Sequence, residues 1–217
     1  MIAPPPLPEM AYDEARPLIR SGDTLLFCSR GVRGQALQVA GRGQYTHAAK
    51  AIWWGRPFEP SDRDDYGVLL VCETVEGAGG RLVPLSRYVA EYPGVIEVFA
   101  VNWQSYPQYD RWGACEWMLR NIPGVKYGWG TILRIALSHL PVLRWFWRPS
   151  ADDLLQPRRR PVCSTAVARA DRLGGGVDPV PGLADEWVEP SDLAKSMLYR
   201  RRFRLLPDGV QGEQSNG

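Results

Sequence analysis

Two histidines and four cysteines stand among the 217 residues of this chain, and the chemistry open to them depends on which can meet. Cys163 follows Pro161-Val162 and opens the run from Cys163 to Leu173, which reads as a short helix stopped by Gly174-Gly175-Gly176. A cysteine in the first helical position faces the positive end of the helix dipole, and that favours the thiolate. The same position also suits a small buried apolar side chain. His47 lies in the strand-like stretch Tyr45 to Trp54, between Thr46 and Ala48. Its imidazole could hold such a thiolate and then protonate a leaving group, the two tasks of acyl-transfer chemistry, although a strand histidine is also commonly structural. His139, beside Pro141, is better read as a cation at a helix C-terminus. Cys28 ends a strand and enters a Gly/Arg loop with no helix to polarise it, so it ranks below Cys163, while Cys72 and Cys115 sit in apolar runs and read as core.

A third group usually orients the imidazole. Glu73 ends the strand after the one bearing His47, and two such strands form a natural antiparallel pair whose cross-strand neighbours can meet. The alternative is an exposed acid at a strand end, next to Glu76.

The elements that would position these residues are strands first and helices after, an α+β layout. After the turn at Ser21-Gly22-Asp23, strands are expected over 24–28, 45–54 and 68–74, with a Gly-rich turn at 77–80. Further strand-like segments cover 81–85 and 95–101, and residues 55–66 read as a hairpin-like connection. Helical spacing runs over 108–121 and 131–140, and Pro190-Ser191-Asp192-Leu193 reads as a capped turn before a basic tail. The domain division expected is a proline-rich arm over 1–20, one catalytic domain over 21–206 and a flexible tail over 207–217. Within the domain, 129–160 reads as an inserted apolar helix and lid-like segment.

Composition excludes several classes. With 45% hydrophobic and 23% charged residues the chain is an ordinary globular one, and 26 basic against 24 acidic residues leave no basic excess for a nucleic-acid partner. The cysteines form no C-x-x-C pair, which argues against a zinc ribbon or a dense disulfide framework, and no metal or organic cofactor is expected. Met1-Ile2-Ala3-Pro4-Pro5-Pro6 lacks a signal-peptide pattern and no long apolar run exists, so a cytoplasmic location is expected. Arg158-Arg159-Arg160 and Arg200-Arg201-Arg202 read as solvated faces, or as attractors of anionic groups. The Trp- and Leu-rich stretch 129–148, with Arg134, Arg144 and Arg148, packs on the sheet or makes peripheral contact with a membrane or lipid.

The order His47, Glu73, Cys163 resembles the permuted branch of the NlpC/P60 superfamily, the YiiX/YaeF-like papain-fold hydrolases. The resemblance is carried by Gly22-Asp23-Thr24-Leu25-Leu26-Phe27, by Ala36-Leu37-Gln38-Val39-Ala40 leading to Tyr45-Thr46-His47-Ala48, and by Glu73-Thr74-Val75-Glu76-Gly77 with Val83-Pro84-Leu85. Gly124-Val125-Lys126-Tyr127-Gly128 and Val162-Cys163-Ser164 complete it, so that it covers roughly residues 21 to 175. It departs from the family at Ala48-Ala49 and in the 129–160 segment. It implies a circularly permuted papain-like fold, an antiparallel sheet or small barrel packed against helices with the cysteine at a helix N-terminus. It also implies a Cys163–His47–Glu73 triad, with Tyr127, Tyr45 and Ser164 on the substrate side. The activity implied is that of a cysteine peptidase or amidase acting on a peptide, amide or acyl-ester substrate, a cell-wall peptide among them. A lipid-directed acyltransferase, thioesterase or lipase using the same triad, and a non-catalytic binding domain on the same fold, are the alternatives.

Overall fold

A computed structural model describes residues 7–29, 43–55, 67–126 and 162–206. Its centre is a seven-stranded sheet. The strands are β1 (Glu9–Met10), β2 (Thr24–Ser29), β3 (His47–Trp54), β4 (Val68–Val75), β5 (Gly79–Pro84), β6 (Gly94–Val101) and β7 (Tyr199–Leu205). They are arranged β1-β7-β6-β2-β3-β4-β5, antiparallel throughout except for the parallel pair β1/β7.

The near-continuous apolar runs of β2 to β4 follow from burial on both faces. Leu25, Phe27, Ala49, Ala51, Val71 and Val98 pack on one face. There they meet Tyr12 and Ala15 of the short helix α1 (Tyr12–Ala15), Ile19, and Leu85 and Val89 of α2 (Leu85–Glu91). The other face carries Leu26, Ala48, Phe99, Ile52 and Cys72. It is covered by α3 (Arg111–Asn121), α4 (Cys163–Arg169) and α5 (Pro190–Lys195). Residues 7–20 of the expected arm are therefore packed onto the sheet. None of the helices among the described residues is long and apolar enough to cross a membrane.

Each helix that bears on the site has a local cause. The Asp110 side chain caps α3 by accepting the Gly113 N–H at 2.9 Å, and Ala114, Cys115 and Met118 form its buried stripe. Every residue of α4 is buried, since Ser164, Thr165, Ala166, Val167 and Ala168 are small enough to let it lie close against the sheet. It runs on as a π-helical turn over Ala170–Gly174. Here α3 approaches so closely that a Cβ on Gly113 would sit 2.3 Å from the Gly174 carbonyl oxygen, and one on Gly174 would sit 2.4 Å from that of Gly113. The capped turn expected at Pro190 is present, with Glu189 and Asp192 forming a reciprocal capping box.

Two elements differ from expectation. The segment read as a basic tail is β7, an interior strand in which Tyr199, Phe203 and Leu205 are buried while Arg200, Arg201 and Arg202 are exposed. A bulge at Val98/Phe99 adjusts its register against β6. The strand expected over 81–85 stops at Pro84, and Leu85 instead opens α2, which buries Leu85 and Val89 one turn apart.

Candidate active site

His47 is the first residue of β3, paired in register with Phe27 of β2, and its ring leans on the Phe27 ring at a centroid distance of 5.0 Å. The imidazole keeps 20% of its surface exposed, whereas the Glu73 side chain has none. Lys50 pairs with Cys72 across β3 and β4, so Glu73 lies level with Ala49 and diagonal to His47 on the same face. That diagonal brings His47 Nε2 to 2.6 Å from Glu73 Oε2. The other carboxylate oxygen, Oε1, accepts Arg81 Nε–H at 2.9 Å and the Tyr88 hydroxyl at 2.5 Å. Arg81 in turn donates to the Tyr88 oxygen at 2.9 Å. Burial raises the Glu73 pKa, but His47, Tyr88 and Arg81 outweigh it and hold the carboxyl below its ordinary range.

Cys163 begins α4 and is nearly buried, at 8% exposure. With His47 Nε2 on Glu73, the other ring nitrogen serves the Cys163 sulfur. The sulfur also accepts the backbone N–H groups of Ala48 and Ser164. Ala48 can donate because the β3–β4 ladder pairs Lys50–Trp54 with Val68–Cys72 and stops short of the His47 end of β3. Ala51 donates its N–H to Asp23 on the β2 side, so by the alternation of an extended strand Ala48 turns its N–H away from β2. There the N–H meets the sulfur instead of a carbonyl.

Burial opposes ionisation of Cys163, yet the charge and hydrogen bond of His47, with the two backbone donors, bring the thiol below its ordinary value. Burial likewise pushes His47 down, and Cys163 and then Glu73 more than reverse it, raising the imidazole to about 10. Each group thus stabilises the charge of the other, as in an imidazolium–thiolate pair. Cys72 and Cys115 behave oppositely: both lie in the apolar cluster under α3 and α4, and burial pushes each thiol up to about 12.

The structure therefore brings Cys163, His47 and Glu73 together, and the cysteine hydrogen-bonded to His47 is Cys163, not Cys28. Half-buried Cys28 pairs in register with Val95 on β2 and β6. The Ser164 hydroxyl donates to the Val188 carbonyl at 2.6 Å and anchors the first turn of α4. The Tyr45 hydroxyl donates to buried Glu97 at 2.5 Å, and Arg201 grips the same carboxylate through two bonds of 2.7 Å. Tyr127, His139, Arg158-Arg159-Arg160 and the 129–160 segment lie outside the described residues. Sequence reasoning missed Arg81 and Tyr88. Arg81 was within reach, since it sits directly across from Glu73 in the hairpin around the Gly77–Gly80 turn.

No family model matches the sequence, and no curated protein is detectably similar to it. Among solved structures the chain is similar to the metalloprotein YiiX from Escherichia coli O157:H7. The two superpose with a TM-score of 0.55 at 16% identity, over 87% of this chain and 99% of that one. The chain has a YiiX-like fold, a mixed α+β sheet packed against helices.

Proposed function

We propose that this protein is a papain-like cysteine hydrolase in circularly permuted chain order, acting on a peptide-type amide. The observation that supports it most is the continuous relay from Glu73 through His47 to Cys163, with the thiol lowered and the imidazole raised. In the reaction Cys163 Sγ attacks the carbonyl carbon, and the electron pair of the C=O bond moves to oxygen. The Cys163 backbone N–H, which as a first-turn donor has no partner within the helix, would be one donor to that oxyanion. Collapse expels the amine, protonated by His47, and leaves a thioester on Cys163. His47 then takes a proton from water as the water attacks the thioester, which releases the acid and regenerates the thiol. Glu73 holds the ring in line and stabilises its charged form.

The E. coli relative is described as a metalloprotein. The donors of this site do not suit a metal: His47 and Glu73 are bonded to each other, and the second Glu73 oxygen is held by Arg81 and Tyr88. Among the described residues no three His, Cys, Asp or Glu side chains converge to hold an ion.

The test is labelling with an electrophilic amide or ester probe, followed by mapping of the modified cysteine. The expected product is a single adduct on Cys163 that disappears in His47→Ala. Labelling of Cys28 with Cys163 untouched rejects the proposal.

A further inference from the structure

A second polar cluster lies in the core away from the dyad. Lys50 and Asp171 are both fully buried, with Lys50 Nζ 2.7 Å from Asp171 Oδ1. The ammonium also donates to the Gly22 carbonyl at 3.1 Å and to Thr24 Oγ1 at 2.9 Å, so all three of its protons are engaged. Asp171 accepts the Tyr109 hydroxyl at 2.5 Å on Oδ1, and the Tyr199 hydroxyl on Oδ2. Burial first, and Asp171 next, keep both phenols neutral donors well above their ordinary range. A lysine is rarely buried this completely, and a buried ion pair is weak evidence for stability because desolvation offsets its attraction. Its best-attested role is to specify one arrangement among several.

The arrangement at stake is legible from the chain. Lys50 stands three positions past His47 on β3, and Asp171 stands eight positions past Cys163 along α4 and its π-helical turn. At about 3.3 Å per strand residue and about 1.5 Å per helix residue, those offsets are about 10 Å and about 12 Å. One clamp at that distance and one contact at the dyad fix the axial register of the helix on the strand. A slip by one helical turn, about 5.4 Å, would break both.

We propose that Lys50 and Asp171 are positioning residues: their ion pair sets the register of α4 on β3, and thereby the contact between Cys163 and His47. The inference rests on the reading of Cys163–His47 as a reactive pair. Its test is the double variant Lys50→Met/Asp171→Asn. This removes one charge of each sign, leaving the net charge unchanged, and keeps an acceptor for a tyrosine hydroxyl. The charged groups left around the clamp, Asp23 with Arg111, and around the dyad, Glu73 with Arg81, are the same in both proteins.

The measurement is the rate of Cys163 alkylation by iodoacetamide from pH 5 to 10, on protein shown to be folded by circular dichroism. The wild type is expected to react at pH 6 far faster than a free thiol. The folded double variant is expected to be slower by roughly tenfold or more at pH 6, with the two rates converging near pH 10. A uniform effect at every pH, or none, overturns the inference while the fast wild type stands. A wild type no faster at pH 6 than a free thiol overturns both this inference and the reading beneath it. If the double variant does not fold, Tyr199→Phe, which removes one donor from Asp171, is expected to shift the profile the same way by a smaller factor. An unchanged profile in that folded variant likewise overturns the inference.

Discussion

Glu73 divides its two oxygens between His47 and Arg81: Oε2 lies 2.6 Å from the imidazole Nε2 and Oε1 accepts the guanidinium Nε–H at 2.9 Å. The Tyr88 hydroxyl shares Oε1 at 2.5 Å, so the carboxylate cannot rotate without losing two donors. A fully buried acid held in this way acts as a fixed negative charge beside the ring, and that charge favours the imidazolium form of His47.

Glu73→Gln is therefore expected to slow Cys163 alkylation at pH 6 by roughly tenfold or more, because the carboxylate that favours the imidazolium is lost. The effect should fade at alkaline pH, where the thiol ionises without help from His47. Rates equal to wild type at pH 6 would show that His47 is oriented by something other than this acid.

The β7 assignment has an equally direct test. Phe203 is 3% exposed and packs among Leu25, Val98 and Leu205, whereas Arg200 is exposed and bonds only the side chain of Gln104 among the partners described for it. Phe203→Ala should cost about 3–5 kcal/mol in denaturant unfolding, as other buried phenylalanines do. Arg200→Ala should stay within about 0.5 kcal/mol of wild type. Equal, small effects at both positions would return 199–205 to the status of a tail.

That strand also shows where the sequence was opaque. β2, β3 and β4 could be read because burial on both faces makes their apolar runs nearly continuous. In β7 the run Arg200-Arg201-Arg202 hides the alternation, which emerges only when Arg201 and Arg204 are seen paired with Glu97 of the neighbouring strand β6. Helix α2 was hidden by Leu82-Val83-Pro84-Leu85, whose β-like composition runs across the strand end. Cys163, His47 and Glu73, which the structure brings together, were accessible because helix start, scarcity of histidine and strand order each constrain them. The Lys50–Asp171 pair was not, since nothing local marks a lysine whose partner arrives from a distant helix.

Glu97 sets an expectation for acid stability. Burial raises its pKa, but Arg201, Tyr45 and Arg204 lower it further, so the folded value lies below the ordinary 4.5. A depressed folded pKa means that the unfolded chain takes up the proton first as pH falls. The contribution of Glu97 is therefore present above about pH 4.5 and is lost as pH drops through the folded value. Glu73 is shifted in the same direction, while Asp23, raised by burial against the pull of Arg111, works in the opposite one. Glu97→Gln should lower stability at pH 7 and flatten its decline between pH 5 and 3 in urea titrations. A decline as steep as that of the wild type would remove Glu97 from the account.

The mutual charge stabilisation of Cys163 and His47 can be separated from that of Glu73 by removing the sulfur. Burial alone drives the imidazole down; Cys163, the larger opposing influence, and Glu73 drive it up, to about 10 together. Cys163→Ala deletes the first and leaves the second, so His47 should titrate at markedly lower pH in the variant. With two histidines in the chain, the ring C2 protons give two resonances in a proton spectrum, and His47→Gln assigns them. If His47 titrates at the same pH with and without the sulfur, its proton is held by Glu73 alone. Cys163 would then rest as a neutral thiol, and the ion pair on which the proposed chemistry depends would be absent.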